Sequence, residues 1–403
     1  MAAYTTQTIT PRYHQALLGW QVKNFPELDF LERNWTKFFA SQTPFQLFAK
    51  IGNLSTESIG QGKFAGQPRF ERAGEMVGNM FYAARDIIRA QCSTELASIQ
   101  QHRLTLEEAP TDPMKVAVLR VMAEELRHAY QMFWVLDHDP SWKKPGHPDI
   151  ASETLDELLA MELGSHVLDA FNIPFKNFLD NVVFATVIDL VGKYQLEMQK
   201  VFAYAPMARS MSPMLSEEGF HIGSGRTFLR ELAIGATTGA GRFSIDDIQK
   251  TINAWYPRGL EMFGNERGGE TNVQFSFKDR TNGTAQGEYI QEVHDVIETT
   301  NVSIVQTRVK NISAQEARAI VREGSRFDDL LFVPDAKFFR RRGPAEIVMQ
   351  PYDLEGNLMP ISSSQYIDYL AKVLPDRYRA TDEFRRYSEQ LLGGQAMAGR
   401  YGW

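Results

Sequence analysis

A glutamate followed three residues later by a histidine occurs twice in the chain, as Glu125-Leu-Arg-His128 and as Glu218-Gly-Phe-His221. Residues three apart share one face of an α-helix, so each fragment can present a carboxylate oxygen and an imidazole nitrogen to one ion. One such fragment is common on a solvated helix. Two copies are what a di-metal carboxylate bundle requires, and this requirement constrains the fold more than any other feature of the sequence.

Each fragment is preceded by a further acid at a nearly equal distance. Glu95 lies 30 residues before Glu125, and Asp189 lies 29 residues before Glu218. Glu95 continues an apolar helix stripe and Asp189 lies in a mostly apolar run, so both are predicted to point into a helix bundle. Unpartnered carboxylates there would be costly, and shared metal ions would remove the cost. The alternative, solvated faces with Arg127 and Lys193 as partners, suits one motif better than the doubled pattern.

The residues alone leave two positions in this pattern open. Glu124 and Glu217 can reach the histidines at four-residue spacing, but they would then leave the apolar stripe. They are predicted at outer positions, with Glu124 near Arg127. Glu197 is closer to the second fragment than Asp189 is, and spacing does not decide between these two acids.

The predicted donor set favours iron. Carboxylates with two imidazoles and no thiolate suit iron or manganese better than zinc or copper(I). Paired ferrous ions can reduce dioxygen by two electrons and leave an oxidant that attacks an aromatic ring or a C–H bond. O2 is therefore the expected co-substrate, and the protein's task is to hold two iron ions and to seal a dry pocket.

Hydrophobic periodicity and helix stop signals predict a mainly α fold. Helices are expected at about residues 71–101, 112–137, 152–172, 175–204 and 212–235. Residues 1–265 are thus predicted to form a helical bundle. Residues 266–403 are predicted as an irregular, partly β C-terminal extension, with small strands at 303–309 and 346–348 and a last helix at 365–378.

Charge and cysteine content exclude several classes of protein. The chain has 43 basic and 50 acidic residues, and its net charge of -7 gives no general attraction for nucleic acid or anionic membranes. Cys92 is the only cysteine, so no internal disulfide can form. The start, MAAYTTQTITPRYHQ, lacks a secretory pattern, and no apolar run reaches membrane-spanning length. These features predict a cytoplasmic protein.

Several motifs resemble the phenylacetate-catabolism group of ferritin-like di-iron oxygenases, and most of all its benzoyl-CoA epoxidase branch. They are EELRH at 124–128, DLVGKYQL at 189–196 and SEEGFH at 216–221. LEMFG at 260–264 and VPD at 333–335 look like landmarks of the family's C-terminal region. The resemblance therefore covers most of the chain and implies one structural unit, a ferritin-like bundle with the extension packed on it.

The resemblance also implies a ligand set and a reaction. The metal ligands would be Glu95, Glu125, His128, Asp189, Glu218 and His221. This choice favours Asp189 over Glu197 and gives Glu125 and Glu218 the role of bridging or shifting carboxylates at the catalytic centre. The substrate would be an aromatic acyl-CoA such as benzoyl-CoA. Electrons from NADPH would arrive through a separate flavin and iron–sulfur reductase.

The chain departs from the epoxidase pattern at Phe220, where a further histidine is expected, and at Gly219, and it is shorter. The substrate is therefore open between an aroyl-CoA and a non-thioester aromatic or acyl compound, and the reaction between epoxidation and hydroxylation. A non-catalytic ferritin-like iron-binding protein and a structural subunit are the competing classes. A homo-oligomer is compatible with the sequence.

Two groups of cations are candidates for binding coenzyme A phosphates. They are Arg226 and the run KFFRRR at 337–342. Arginine pairs readily with phosphate, but a solvated turn or a reductase-docking patch explains the run equally well.

Overall fold

The computed structural model describes residues 4–264, 266–324 and 326–334, together with single positions between 357 and 372. This part of the chain contains eleven α-helices and one two-stranded antiparallel sheet, in which β1 (Thr5–Gln7) pairs with β2 (Ala49–Ile51). The sheet lies in the half of the chain that was predicted to be wholly helical.

The chain divides into two compact units. The first unit comprises the chain up to Lys176, Gln195–Gly219 and Arg267–Thr281, and the second comprises Asn177–Tyr194, Phe220–Glu266 and the described residues from Asn282 onward. Both units draw on several separate stretches of the chain. The division predicted at residue 265 stays a prediction.

The helices are numbered in the order in which they follow one another along the chain. The first unit contains α1 (Pro11–Asn24), α2 (Leu28–Phe38), α3 (Asn79–Thr105), α4 (Asp112–Asp137) and α5 (Ile150–Ala160). Both units receive residues from α6 (Phe178–Gln199) and α7 (Ala205–Thr238). The remaining helices are α8 (Ile245–Met262), α9 (Glu266–Gln274), α10 (Asn282–Arg308) and α11 (Ala314–Glu323).

Helix α4 is central to the first unit. The side chain of Thr111 accepts a hydrogen bond from the Met114 backbone N–H at 3.4 Å, and Pro113 occupies the first turn, as predicted. Every residue from Ala117 to Leu136 is buried. Since this stretch of α4 is buried on all sides, each of the charged side chains within it needs a partner inside the protein.

Two predicted helix boundaries in this unit are wrong. Helix α3 begins at Asn79 and not near residue 71, because Gly78 adopts a positive φ of 52° and a short 3-10 turn precedes it. The helix predicted at 152–172 ends at Ala160. The following residues form turns and a 3-10 segment, Asp169–Asn172.

Helix α7 runs through Pro213, where a helix start was predicted. A proline inside a helix cannot donate to the carbonyl four residues earlier, which here belongs to Arg209. The Gly52 backbone N–H donates to that carbonyl at 3.0 Å instead. A Cβ at Gly52 would lie 3.0 Å from this oxygen and 3.2 Å from the Pro213 ring, so the close approach favours glycine.

The prediction of a mostly irregular chain after residue 264 is wrong for residues 282–323. The expected strand at 303–309 lies within α10 as far as Arg308. The buried residues Tyr289, Val293, Val296 and Ile304 give α10 its apolar face. Of the remaining predictions, the strand at 346–348, the run at 337–342 and most of the helix at 365–378 lie outside the described residues.

The fold is mainly α and of the ferritin-like class, as predicted. Among the helices that the structure describes, none combines the length and apolar content needed to cross a membrane.

Candidate metal centre

Helices α3 and α4 bring three of the predicted ligands together in the first unit. Nδ1 of His128 lies 3.5 Å from Oε2 of Glu95 and 3.8 Å from Oε2 of Glu125. The ligand atoms of these three residues all lie within 4.8 Å of one another. Glu95 continues the buried stripe of α3 that contains Cys92 and Ile99, as the periodicity predicted.

Helix α7 adds a third carboxylate to this cluster. Oε1 of Glu218 lies 3.7 Å from Nδ1 of His128. One imidazole nitrogen is thus approached by Glu95, Glu125 and Glu218, each of which is at most 7% exposed. We call these four residues the His128 cluster.

The His128 cluster fits a divalent metal ion chemically. Its three buried carboxylates converge on one imidazole nitrogen, and a divalent ion bound there would offset part of their negative charge. Oxygen donors with one imidazole nitrogen and no thiolate are suited to iron or manganese. The cluster therefore has donor atoms of the kind that the sequence pattern predicted for a metal site. The identity of the metal stays a prediction.

The second nitrogen of His128 has a different partner. Nε2 donates a hydrogen bond to Oε2 of Glu217 at 3.1 Å. This contact places the imidazole proton on Nε2 and directs Nδ1 towards the three carboxylates. Glu217 is therefore a positioning residue for His128.

Glu217 is held by two further cations. Arg127 donates to both carboxylate oxygens, at 2.5 and 3.2 Å, and Lys50 of β2 donates to Oε1. Burial by itself raises the pKa of the Glu217 carboxyl, but the charge of Arg127, the hydrogen bond from His128 and the charge of Lys50 outweigh it. Together they hold the pKa well below its usual range.

Glu124 and Glu217, which were predicted at outer positions of their helices, are both buried. Glu124 is buried, and it accepts a hydrogen bond from Nε of Arg120 at 3.1 Å. Its predicted proximity to Arg127 is confirmed, with a separation of 3.7 Å. An acid directly before each Glu-x-x-His fragment was the available signal for Glu217. Nothing local in the sequence pointed to Lys50.

The second unit contains the two other predicted ligands. Asp189 on α6 and His221 on α7 are 5% and 0% exposed. A carboxylate oxygen of Asp189 and a ring nitrogen of His221 lie within 4.8 Å of each other. This pair has the composition of a second, smaller donor set.

Glu197, the alternative to Asp189, has a different environment. Its side chain is 31% exposed, and its carboxylate lies 3.6 Å from Nη2 of Arg280 in the first unit. An exposed carboxylate with a basic partner does not need a metal to offset its charge. The assignment of all six ligands stays a prediction.

Comparison with known proteins places this geometry in a family context. The family model described as phenylacetic acid catabolic protein matches residues 94–317, which include all six predicted ligands and more than half of the chain. The chain is also similar to benzoyl-CoA oxygenase component B of Aromatoleum evansii. The two share 25% identity over an alignment 365 positions long, which covers 81% of this chain and 74% of that protein.

Proposed function

Because the chain belongs to the phenylacetic acid catabolic protein family, we propose that it is a di-iron oxygenase component that acts on an aromatic acyl-CoA. The observation that carries the proposal is the His128 cluster, in which three buried carboxylates converge on one imidazole nitrogen. Benzoyl-CoA is the leading substrate, since it appears in the name of the similar protein.

Two iron ions would be held by the residues of the doubled sequence pattern. These residues are Glu95, Glu125, His128, Asp189, Glu218 and His221. When bound, ferrous iron would supply the electrons for the reduction of O2, which is chemistry that none of these side chains provides. Glu218 and His221 are three residues apart on α7, as Glu125 and His128 are on α4, so each helix contributes one carboxylate–imidazole pair.

The protein's own side chains would prepare the site in three ways. Glu217 fixes the tautomer of His128, so that Nδ1 presents its lone pair to the metal. Glu125 and Glu218 would supply carboxylate oxygens that hold the ions. The burial of the cluster keeps water away from the reacting centre.

The reaction must balance its oxygen atoms and electrons. One oxygen atom of O2 would enter the aromatic ring, as an epoxide or a hydroxyl group, and the other would leave as water. This stoichiometry consumes two electrons and two protons from outside the substrate. We assign the electron supply to a separate reductase that draws on NADPH, a role supported by the word "component" in the name of the similar protein.

A direct test measures product and oxygen incorporation. The iron-loaded full chain would be mixed with benzoyl-CoA, a chemical reductant and ¹⁸O2, and the products would be analysed by mass spectrometry. We expect one ¹⁸O atom per product molecule. The double variant Glu125→Ala/His128→Ala should lose product formation, while Glu71→Ala, at an exposed carboxylate, should retain it.

Two outcomes would contradict the proposal. One is unchanged turnover in the double variant, and the other is the absence of oxygenated product from benzoyl-CoA and other aromatic acyl thioesters. Benzoate serves as the non-thioester comparison. Storage is excluded as the main function if no more than two iron atoms per chain accumulate when ferrous iron is oxidised in air.

A further inference from the structure

A polar cleft lies between α7 and α10 in the second unit. Its volume is about 360 Å³, and its lining includes Arg226, Thr227 and Arg230 of α7 and Glu292, Asp295 and Thr299 of α10. We propose that this α7–α10 cleft binds the phosphate groups of the acyl-CoA substrate through Arg226 and Arg230. The inference rests on the proposed function, and it adds a site for the part of the substrate that does not react.

Helical spacing gives the cleft one basic wall. Arg226 and Arg230 are four residues apart on α7, so their side chains project from the same face. Guanidinium groups bind phosphate oxygens through paired N–H donors. Two of them along one wall suit a ligand that carries more than one phosphate.

One hydrogen-bond donor of Arg226 has no acceptor among the described residues. Its Nη2 donates to Oε1 of Glu292 at 2.5 Å. Its Nε is buried and has no hydrogen-bond acceptor among the described residues. A buried donor without an acceptor is rare and costs free energy, and an anionic ligand in the cleft would supply the missing acceptor.

The charge of Glu292 does not cancel the basic wall. Its carboxylate accepts from Lys193 at 2.9 Å and from the hydroxyl of Tyr194 at 2.6 Å, in addition to Arg226. Burial raises the pKa of Glu292, but the hydrogen bonds from Tyr194, Arg226 and Lys193 lower it to about 2. The carboxylate is thus fully charged and is already matched by two cations.

Arg230 supplies the remaining positive charge. It is exposed, and among the described residues no carboxylate lies in ion-pair range of it. In the lining, Arg226 and Arg230 face the two acids Glu292 and Asp295. Lys193 lies outside the lining and pairs with Glu292, so these five residues carry three positive and two negative charges at neutral pH. This excess favours an anion over a cation or a neutral ligand.

The positions of the arginines along α7 agree with the proposed substrate. Arg226 and Arg230 follow His221 by five and nine residues, which corresponds to roughly 7 and 13 Å along a helix. In an acyl-CoA, the pantetheine arm separates the acyl group from the phosphates. A site for phosphates is therefore expected away from the metal ligands and not among them.

The test uses the full chain without iron and measures the binding of free coenzyme A by isothermal titration calorimetry. Arg230→Ala should weaken binding at least tenfold, and Arg226→Ala/Arg230→Ala should abolish it. Arg33→Ala, which removes an exposed arginine of α2, should bind coenzyme A as the wild type does. Thermal unfolding of each variant would establish that the arginine variants are folded; Arg230→Ala is informative even if the double variant is not.

Comparison ligands separate coenzyme A from phosphate in general. Pantetheine, which lacks the phosphates, should bind the wild type and Arg230→Ala equally weakly. The inference is wrong if the wild type does not bind coenzyme A, if Arg230→Ala binds it within twofold of the wild type, or if inorganic phosphate binds as tightly as coenzyme A does.

The inference and the proposed function can fail separately. If the wild type binds coenzyme A through these arginines and forms no oxygenated product, the cleft remains and the oxygenase proposal fails. If benzoyl-CoA is oxygenated and Arg230→Ala changes neither kcat nor KM, the oxygenase proposal remains and the cleft is overturned. Should both hold, Arg230→Ala will raise KM for benzoyl-CoA much more than it lowers kcat.

Discussion

The buried carboxylates of the His128 cluster and the half-buried carboxylate of Glu292 have different kinds of neighbours. Glu292 meets Lys193, Arg226 and the hydroxyl of Tyr194, so the chain itself supplies the opposing charge. In the His128 cluster, Glu95, Glu125 and Glu218 face the same imidazole nitrogen. The negative charge of Glu292 is offset by cations of the chain, whereas the His128 cluster gathers donor atoms that suit a bound metal ion.

The adjacent acids Glu217 and Glu218 of α7 show the same contrast. Glu217 is matched by Arg127 and Lys50, and its neighbour Glu218 belongs to the His128 cluster. Successive helix residues are turned by about 100° from each other, so neighbouring acids can serve different environments. A run of acids in a buried helix therefore has to be interpreted residue by residue.

The largest effect is expected from removing a balanced acid. Glu217→Ala removes this carboxylate from the buried Arg127 and the half-buried Lys50, and we expect the free energy of unfolding to fall by about 3–5 kcal/mol. Iron affinity should also fall, by about 10–100-fold, because His128 loses the acceptor that orients it. Urea unfolding and iron titration measure the two effects. Unchanged iron affinity in a folded Glu217→Ala protein would contradict the positioning role.

Lys278 is a buried cation and therefore the counterpart of the buried acids. Burial lowers its pKa from 10.5 to about 8, and its ammonium group donates to the amide oxygen of Gln195 at 2.6 Å. Between these two values the unfolded chain binds more protons than the folded protein, so stability should rise with pH across this window. The full rise is about 3 kcal/mol.

The matched variant for this prediction is Lys278→Met, which keeps a long apolar side chain. Chemical unfolding at several pH values between 8 and 10.5 should show the rise in the wild type and its absence in the variant. Parallel pH profiles for the two proteins would contradict the assignment.

Replacing the balanced acid of the second unit should be destabilising in a pH-dependent way. The pKa of Glu292 is lowered from 4.5 to about 2, so its contribution is present above pH 4.5 and disappears as the pH falls towards 2. At pH 7, Glu292→Gln should lower the free energy of unfolding by about 2 kcal/mol, an estimate reduced for partial exposure. Unfolding measured at pH 7 and at acid pH should show the difference between the proteins shrinking. A difference that does not change with pH would refute the charge-based account.

In the His128 cluster without metal, replacing a glutamate by glutamine is expected to stabilise the protein instead of destabilising it. Glu218→Gln removes one of three facing carboxylates, and it should raise the free energy of unfolding of the iron-free protein by about 1 kcal/mol. Thermal unfolding of iron-free wild type, Glu218→Gln and Glu292→Gln would compare the two clusters under identical conditions. If Glu218→Gln is as destabilising as Glu292→Gln, the two clusters do not differ as described.

Much of the part of the His128 cluster that lies on α3 and α4 could be predicted from the sequence. Thr111 and Pro113 identified the start of α4, and periodicity placed Glu95 on a buried face, because both signals are local. The bounds of α10 were missed, since its many Thr, Asn and Val residues resemble strand and turn sequences. Its helical face became visible only through the burial of Tyr289 and Val293.

The role of Glu217 could not be predicted from local patterns. It depends on Arg127 of α4 and Lys50 of β2, which lie 90 and 167 residues away in sequence. Glu124 and Glu217 were placed at outer positions because they leave the apolar stripe of their helices. Only the tertiary structure shows the cations beside them, of which Arg120 and Arg127 are buried and Lys50 is half-buried.

We propose that the His128 cluster holds iron. This can be tested by an anaerobic titration of the iron-free full chain with ferrous iron, in which bound metal is counted after gel filtration. We expect two iron ions per chain for the wild type and for Glu292→Gln, and the loss of at least one from Glu125→Ala/His128→Ala. An unchanged iron count in that double variant would overturn the proposed metal site.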